Sequence, residues 1–267
     1  MIADLIEYAA NPIPWHLAPM GYVREVRMTG QRAREIGTAW NDHLVATRGV
    51  IKESAGLCRK RKRVVVVGAG NLLDVPLGAL AKTFEDVVLL DIFHPRTTRK
   101  LVRQKRNVTL IDCDVTGVSR QVFDAARRRD VKDLPTSVPP TLNFDAVDLI
   151  VSVNLLSQLA VIPASYMKGH CPNISADELS AFSRNLIEAH LAWLSANTEQ
   201  VCLVTDVSRV ERFSDGRVAR KDIVQDIPLP RPDKTWDWQI APKGSIYRDR
   251  DVYHRVQAYT DYRTVSD

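Results

Sequence analysis

The chain reads as a doubly wound α/β protein, a mostly parallel sheet flanked by helices and preceded by a helical extension. Short aliphatic runs, among them Val64-Val65-Val66-Val67, Val87-Val88-Leu89-Leu90 and Val108-Thr109-Leu110-Ile111, recur with helical stretches between them. The runs are apolar at consecutive rather than alternate positions, as strands covered on both faces require. The first ends in glycines and the next two in acids, at the strand ends where such sheets bind ligands.

The 267 residues fit one large domain, or a domain with an appendage, and 45% hydrophobic content excludes disorder of the whole chain. No run of about eighteen apolar residues is present. The first ten residues carry two acids and no basic leader, so a cytoplasmic protein is expected. Cys58, Cys113, Cys171 and Cys202 lie far apart without the paired spacing of a zinc site, so free thiols and no metal are expected. A net charge of +5 is modest and concentrates in residues 59–63 and 127–129, which read as solvated flanks before they read as nucleic-acid contacts.

Residues 1 to about 60 read as the extension, and 61–267 as the sheet domain. A short helix over residues 2–10 breaks at Asn11-Pro12-Ile13-Pro14, because proline excludes helix. From about Thr29 a longer helix is expected, with Ala33, Ile36, Trp40, Leu44, Thr47, Ile51 and Ala55 forming one stripe at spacings of three and four. The first strand follows at residues 64–67. Asp74-Val75-Pro76 predicts a helix start with Asp74 as N-cap and an end near Phe84. Second and third strands at 87–91 and 108–111 enclose a basic helix over 96–105, and another helix follows Gly117. After a Pro-rich linker at 134–141 comes a fourth strand at 147–153, and Ser175-Ala176-Asp177-Glu178 has the form of a capping box opening a helix. A fifth strand at 201–206 and two alternating segments, 236–240 and 253–259, complete the sheet, the last two as an antiparallel pair.

Gly68-Ala69-Gly70 between a strand and a helix lets backbone N–H groups approach a ligand, since glycine lacks Cβ and accepts positive φ. Asp91, twenty-three positions after Gly68, is placed to accept both hydroxyls of a ribose, and Asp112 and Asp114 supply acids after the third strand. Together these describe a pocket for an adenosine moiety. A dinucleotide is disfavoured, because the last position of a GxGxxG fingerprint, which needs glycine or alanine for tight packing, is Leu73.

Over residues 63–210 the chain resembles the class I S-adenosylmethionine-dependent methyltransferases, through the strand, GxG and turn of Val64-Val65-Val66-Val67-Gly68-Ala69-Gly70-Asn71. The resemblance implies a Rossmann-like methyltransferase fold, a seven-stranded sheet closed by an antiparallel hairpin, with S-adenosylmethionine as cofactor. By the same resemblance Gly68, Ala69, Gly70 and Asn71 line the methionine part and Asp91 and Ile92 meet the ribose. Asp114 and Val115 meet the adenine, and Asn154 and Leu155 lie under the sulfonium. The chain departs from the pattern at Leu72, where a third glycine is frequent, and at Val67, where an acid often stands. Ser152-Val153-Asn154-Leu155-Leu156 is not the Asn/Asp-Pro-Pro-aromatic motif of enzymes that methylate nucleic-acid amino groups. A small-molecule acceptor is therefore expected, with RNA or another nucleic acid, or a non-catalytic relative, as alternatives.

Tyr166 and His170 lie where this fold often shapes its acceptor site and are weak candidates for moving a proton. His94 reads as a loop histidine, His190 as a core histidine, and Trp236 and Trp238 as aromatics buried against the sheet.

Overall fold

The computed structural model describes residues 13–129, 134–142, 144, 146–198 and 200–263. The helix expected over residues 2–10 lies outside them. Helices α1 (Leu17–Met20), α2 (Tyr22–Ile36) and α3 (Asn41–Leu57) form the extension. The expected single helix from Thr29 is two helices, because Gly37 at φ 53° and a 3₁₀ turn, Gly37–Trp40, interrupt it. The stripe survives the break only in part: Trp40, Thr47, Ile51 and Ala55 are buried, whereas Ala33, Ile36 and Leu44 are half-buried.

The sheet domain follows as β1 (Arg63–Val67), α4 (Leu77–Thr83), β2 (Asp86–Asp91), α5 (Arg96–Val102), β3 (Val108–Asp112), α6 (Ser119–Arg128) and β4 (Leu149–Val153). It continues through α7 (Val161–His170), α8 (Ala176–Asn197), β5 (Val201–Phe213), β6 (Val218–Asp222), β7 (Lys234–Ala241) and β8 (Arg250–Tyr259). Strand order is β3-β2-β1-β4-β5-β8-β7, with β6 on the upper half of β5. β1 to β5 are mutually parallel, β8 is antiparallel to β5 and β7 antiparallel to β8. This is the doubly wound, Rossmann-like arrangement, with the order reversing between β1 and β4.

Among the described residues the sheet has eight strands, not seven. β5 does not end at Asp206 but passes an irregularity between Asp206 and Ser208 and runs to Phe213 before turning back at Gly216, φ 88°, into β6. All five residues of β6 are exposed, so no apolar pattern announces it.

Consecutive valines in β1 serve two cores. Val65 and Val67 join Val88, Leu90, Ile150 and Leu203 under Phe182 and Leu186 of α8. Val64 and Val66 join Val87, Leu89, Leu149 and Val151 under Val50 and Ile51 of α3 and Leu80 of α4. The Pro-rich segment is pinned along the surface, with Trp193 Nε1 donating to Pro140 O at 2.8 Å and Val138 N to Thr116 O at 3.0 Å. None of the four cysteines, all among the described residues, forms a disulfide.

The 22-residue α8 opens on a complete capping box: Glu178 N donates to Ser175 Oγ at 3.1 Å, and Ser175 N to Glu178 Oε2 at 2.7 Å. Ser175→Ala removes the acceptor for an otherwise unpaired helical N–H. It should lower the free energy of unfolding by about 1 kcal/mol, read from the urea midpoint with an unchanged slope.

Candidate functional site

The parallel strands β1 to β4 end at one edge, past which β5 continues, and there the glycine turn is shaped by its neighbours. Gly68 has φ 84°, and a Cβ on it would stand 2.7 Å from Val153 O and 3.1 Å from Leu155 Cβ. Only glycine fits this approach of the β1 and β4 ends. Gly70 N donates to Asp91 Oδ2 at 2.7 Å, and Thr98 Oγ1 donates to Gly70 O at 2.7 Å. Gly68, Gly70, Asp91 and Leu155, four of the residues singled out from sequence, thus meet where β1, β2 and β4 end. Burial raises the Asp91 carboxyl above the usual aspartate range, opposed by His94 and by N–H groups of Gly70, Phe93 and Ile92.

Asn154 follows β4 in the left-handed region, φ 47°, which asparagine tolerates. Its amide nitrogen position lies 2.5 Å from Asp74 Oδ2 and 3.1 Å from His43 Nε2. Asp74 is therefore not the N-cap expected of it. Helix α4 begins at Leu77 behind Pro76 without a side-chain cap, and the carboxyl of Asp74 turns to Asn154, eighty positions away. Burial again raises Asp74. His43, buried on α3, accepts from Trp236 Nε1 at 3.1 Å and stacks on Trp238 at 3.9 Å between ring centroids. Burial depresses its pKa to about 4. Trp236 and Trp238 are thus walled by the extension as well as by the sheet.

The remaining predicted residues are placed differently. Asn71 Nδ2 donates to Val26 O of α2 at 2.8 Å, so this side chain is engaged by the extension. Ile92 packs with Phe93, Leu17 and Val23. His94 lies in a loop, as expected, and is buried there as a partner of Asp112, Nδ1 to Oδ1 at 2.7 Å, while Arg99 pairs with the same carboxylate. Asp114 Oδ1 accepts from Thr116 N at 2.9 Å and Thr116 Oγ1 at 2.6 Å, and its Oδ2 from Ser119 N at 2.8 Å, while the Val115 side chain enters the core. The Asp114 carboxylate folds its own loop and keeps only its remaining lone pairs for a ligand.

Tyr166 stacks on Phe123 of α6 at 5.9 Å and tilts against His170 at 4.2 Å. His170 Nδ1 bonds back to Tyr166 O of its own helix, so these two candidates belong to the α6–α7 contact rather than to the glycine turn. Sequence reasoning passed over Asp206 and His254. Ser157 donates to one oxygen of Asp206, and His254 Nδ1 lies 2.5 Å from the other. Burial alone would raise Asp206, but the bonds from His254 and Ser157 outweigh it and hold the carboxyl low.

Residues 13–36 roof the site. His16 Nε2 bonds Ser119 Oγ at 3.1 Å, Tyr22 stands beside Asp114, and a Cβ on Gly30 would lie 3.0 Å from Asn71 Oδ1. The exposed Arg59, Lys60, Arg61 and Lys62 lead into the opposite end of β1, about 17 Å of strand from the turn, and residues 127–129 close the far end of α6. Neither basic run borders the candidate site. A groove of about 330 Å³ among Ser208, Val210, Arg212, Arg220, Asp237, Tyr253 and Arg255 lies on the β5–β8 extension, on the sheet face opposite His254. Among the described residues no helix is long and apolar enough to cross a membrane, and no cluster of His, Cys, Asp and Glu is suited to a metal.

No family model and no curated protein matches the chain. Among solved structures it is similar to the N-methyltransferase NodS from Bradyrhizobium japonicum, at 12% identity and TM-score 0.38 over 84% of this chain and 97% of that one. It is also similar to CalS10, an amino pentose methyltransferase from Micromonospora echinaspora, at 13%, TM-score 0.35 and coverages of 86% and 96%. A third is the 23S rRNA methyltransferase ErmE, at 13%, TM-score 0.31, with 80% and 69% covered. Likeness this distant leaves the chemistry to be argued from the chain's own residues.

His190, buried beneath β4 with Nε2 3.0 Å from Ser152 Oγ, is depressed by burial to about 4 from 6.5, as His43 is. Both contribute stability that is complete above pH 6.5 and lost as pH falls towards 4, where the unfolded chain takes up protons the folded chain refuses. Asp74 and Asp91, raised by burial, act in the opposite sense, so the test is a difference. His190→Gln should flatten the fall in unfolding free energy between pH 6.5 and 4 by up to about 1.4 kcal/mol per pH unit, measured by urea titration.

Proposed function

We propose that the chain binds S-adenosylmethionine across the carboxyl ends of β1, β2 and β4 and transfers its methyl group to a small-molecule acceptor. One observation carries the reading: Gly70 N–H and the Asp91 carboxylate meet at 2.7 Å, with Leu155 against Gly68, at the reversal point of a doubly wound sheet. The residues fit the cofactor. A Cβ at Gly68 or Gly70 would fill space at the turn, and Asp91, which already accepts from the N–H groups of Gly70, Phe93 and Ile92, keeps its remaining lone pair for a ribose hydroxyl. The bound cofactor supplies a methyl group on a positively charged sulfur that a nucleophile displaces in line.

In this reading the chain's own part is placement. The turn and Asp91 fix the adenosine end, Asn154 and Leu155 border the methyl, and residues 1–60 form a cap over the 61–267 domain that excludes water. Ala69, Asn71, Ile92, Asp114 and Val115 complete the proposed binding set, Asn71 once released from Val26. An acceptor that is already nucleophilic needs little acid–base help, which agrees with Tyr166 and His170 lying in a helix contact. The basic runs at the far ends of β1 and α6 favour a small acceptor over nucleic acid.

Calorimetry should show stoichiometric binding of S-adenosylmethionine and S-adenosylhomocysteine. Asp91→Ala should weaken both at least tenfold, since hydrogen bonds to a charged group are worth about 1.5–3 kcal/mol. Transfer of labelled methyl to a panel of small amines, phenols and carboxylates, with RNA as comparison, identifies the acceptor class. Absence of binding by either ligand to the folded native chain sinks the proposal.

A further inference from the structure

The hydrogen bonds around Asn154 balance in only one way. Trp236 Nε1 can only donate, and it points at His43 Nδ1 at 3.1 Å, so that nitrogen carries a lone pair. A neutral His43 then bears its hydrogen on Nε2 and needs an acceptor 3.1 Å away, which makes the facing atom of the Asn154 amide its oxygen. The same atom is 2.5 Å from Asp74 Oδ2. Two oxygens at that distance share a proton, and the only group able to bring it is the carboxyl of Asp74. The other end of the amide is buried with no partner among the described residues, so ordering this network leaves a polar group unmatched beside the glycine turn.

We infer that Asp74 is the charge sensor of the site: protonated in the ligand-free protein, it loses its proton to solvent when a sulfonium cation binds beside Asn154, and so separates the cationic methyl donor from its neutral thioether product. This rests on the cofactor assignment above. The two ligands share every other ionisable group, and differ by one methyl and one positive charge. Ionising Asp74 without a cation is opposed first by its burial and then by the neighbouring Asp91, and an Asn154 that presents its oxygen to Asp74 withholds the N–H an ionised carboxylate would need. An ionised carboxylate needs Asn154 to turn its N–H towards it. His43 Nε2 must then accept or lose its partner, and a hydrogen moved to Nδ1 breaks the bond from Trp236. Arg48, whose guanidinium bonds Leu73 O, favours ionisation but has not prevailed over burial. An arriving cation tips the balance.

Carbon-13 carboxyl spectra of the ligand-free chain should contain one aspartate, absent in Asp74→Asn, that titrates above the ordinary carboxylates. Trp236→Phe frees His43 Nδ1 to carry the hydrogen and should move that midpoint down. One pH unit below the midpoint, calorimetry in phosphate and in Tris should show close to one proton expelled by S-adenosylmethionine and none by S-adenosylhomocysteine. Affinity for the former alone should rise by up to about tenfold per pH unit. Titration of Asp74 with the ordinary carboxylates overturns the proton assignment whatever the ligands do. Equal proton release by both ligands, or release by S-adenosylmethionine persisting in Asp74→Asn, overturns the sensor. Binding of neither ligand overturns the cofactor assignment and the sensor together, and the carboxyl spectra then decide the protonation of Asp74 on their own.

Discussion

The bond from Gly70 N to Asp91 ties the bend after β1 to the end of β2, and the geometry of the strand edge depends on it. Held there, the bend presses Gly68 against Val153 O and Leu155, which sets how closely β4 can end beside β1. Asn154 is delivered to Asp74 by the same approach, and Asn71 is turned up to α2. A side chain at Gly68 would meet backbone rather than a flexible group, so the strain would have no soft direction in which to relax.

Elements whose signal is local were legible in the sequence. The valine runs, the capping box at Ser175 and the hairpin of tryptophan and tyrosine segments all stand near where periodicity puts them, because each depends on neighbours a few residues away. What was missed depends on distant partners. Asp74 before Pro76 has the form of a cap, yet Asn154 claims the carboxyl across eighty positions, and no local pattern carries that choice. His94 keeps the loop position its Asp-Ile-Phe-His-Pro setting suggests, but its burial depends on Asp112 and on the packing of Phe93, which no local pattern carries. Asp206 and His254 lie in strand-like alternation, and only the pairing of β5 with β8 brings them together. The glycine at 37 carries a cue that the helical stripe overrode, whereas β6, exposed along its whole length, carries no apolar pattern to read.

The edge of the sheet is also unusual in how much polarity it buries. His43, Asn154 and Asp74 form one group, and Ser157, Asp206 and His254 a second, both just beyond the carboxyl end of β4. Apolar side chains could fill this volume with fewer constraints, since a polar network stabilises only when its members are matched. Unmatched atoms remain at Asn154, His254 Nε2 and Trp238 Nε1. The core beneath, by contrast, is largely apolar on both faces, with His190 against Ser152 as a buried polar pair within it.

The grip of Val26 and Gly30 on Asn71 gives the extension a thermodynamic role. Any guest that needs Asn71 competes with a segment of the same chain, and its observed dissociation constant is the intrinsic one divided by the fraction of molecules in which α2 has lifted. Substitutions along α2 that never touch the guest can therefore tune its occupancy. Tight seating of the helix lowers apparent affinity, and loosening it raises affinity at the expense of shielding. Natural variation in those fifteen residues would act as a dial on saturation rather than on chemistry.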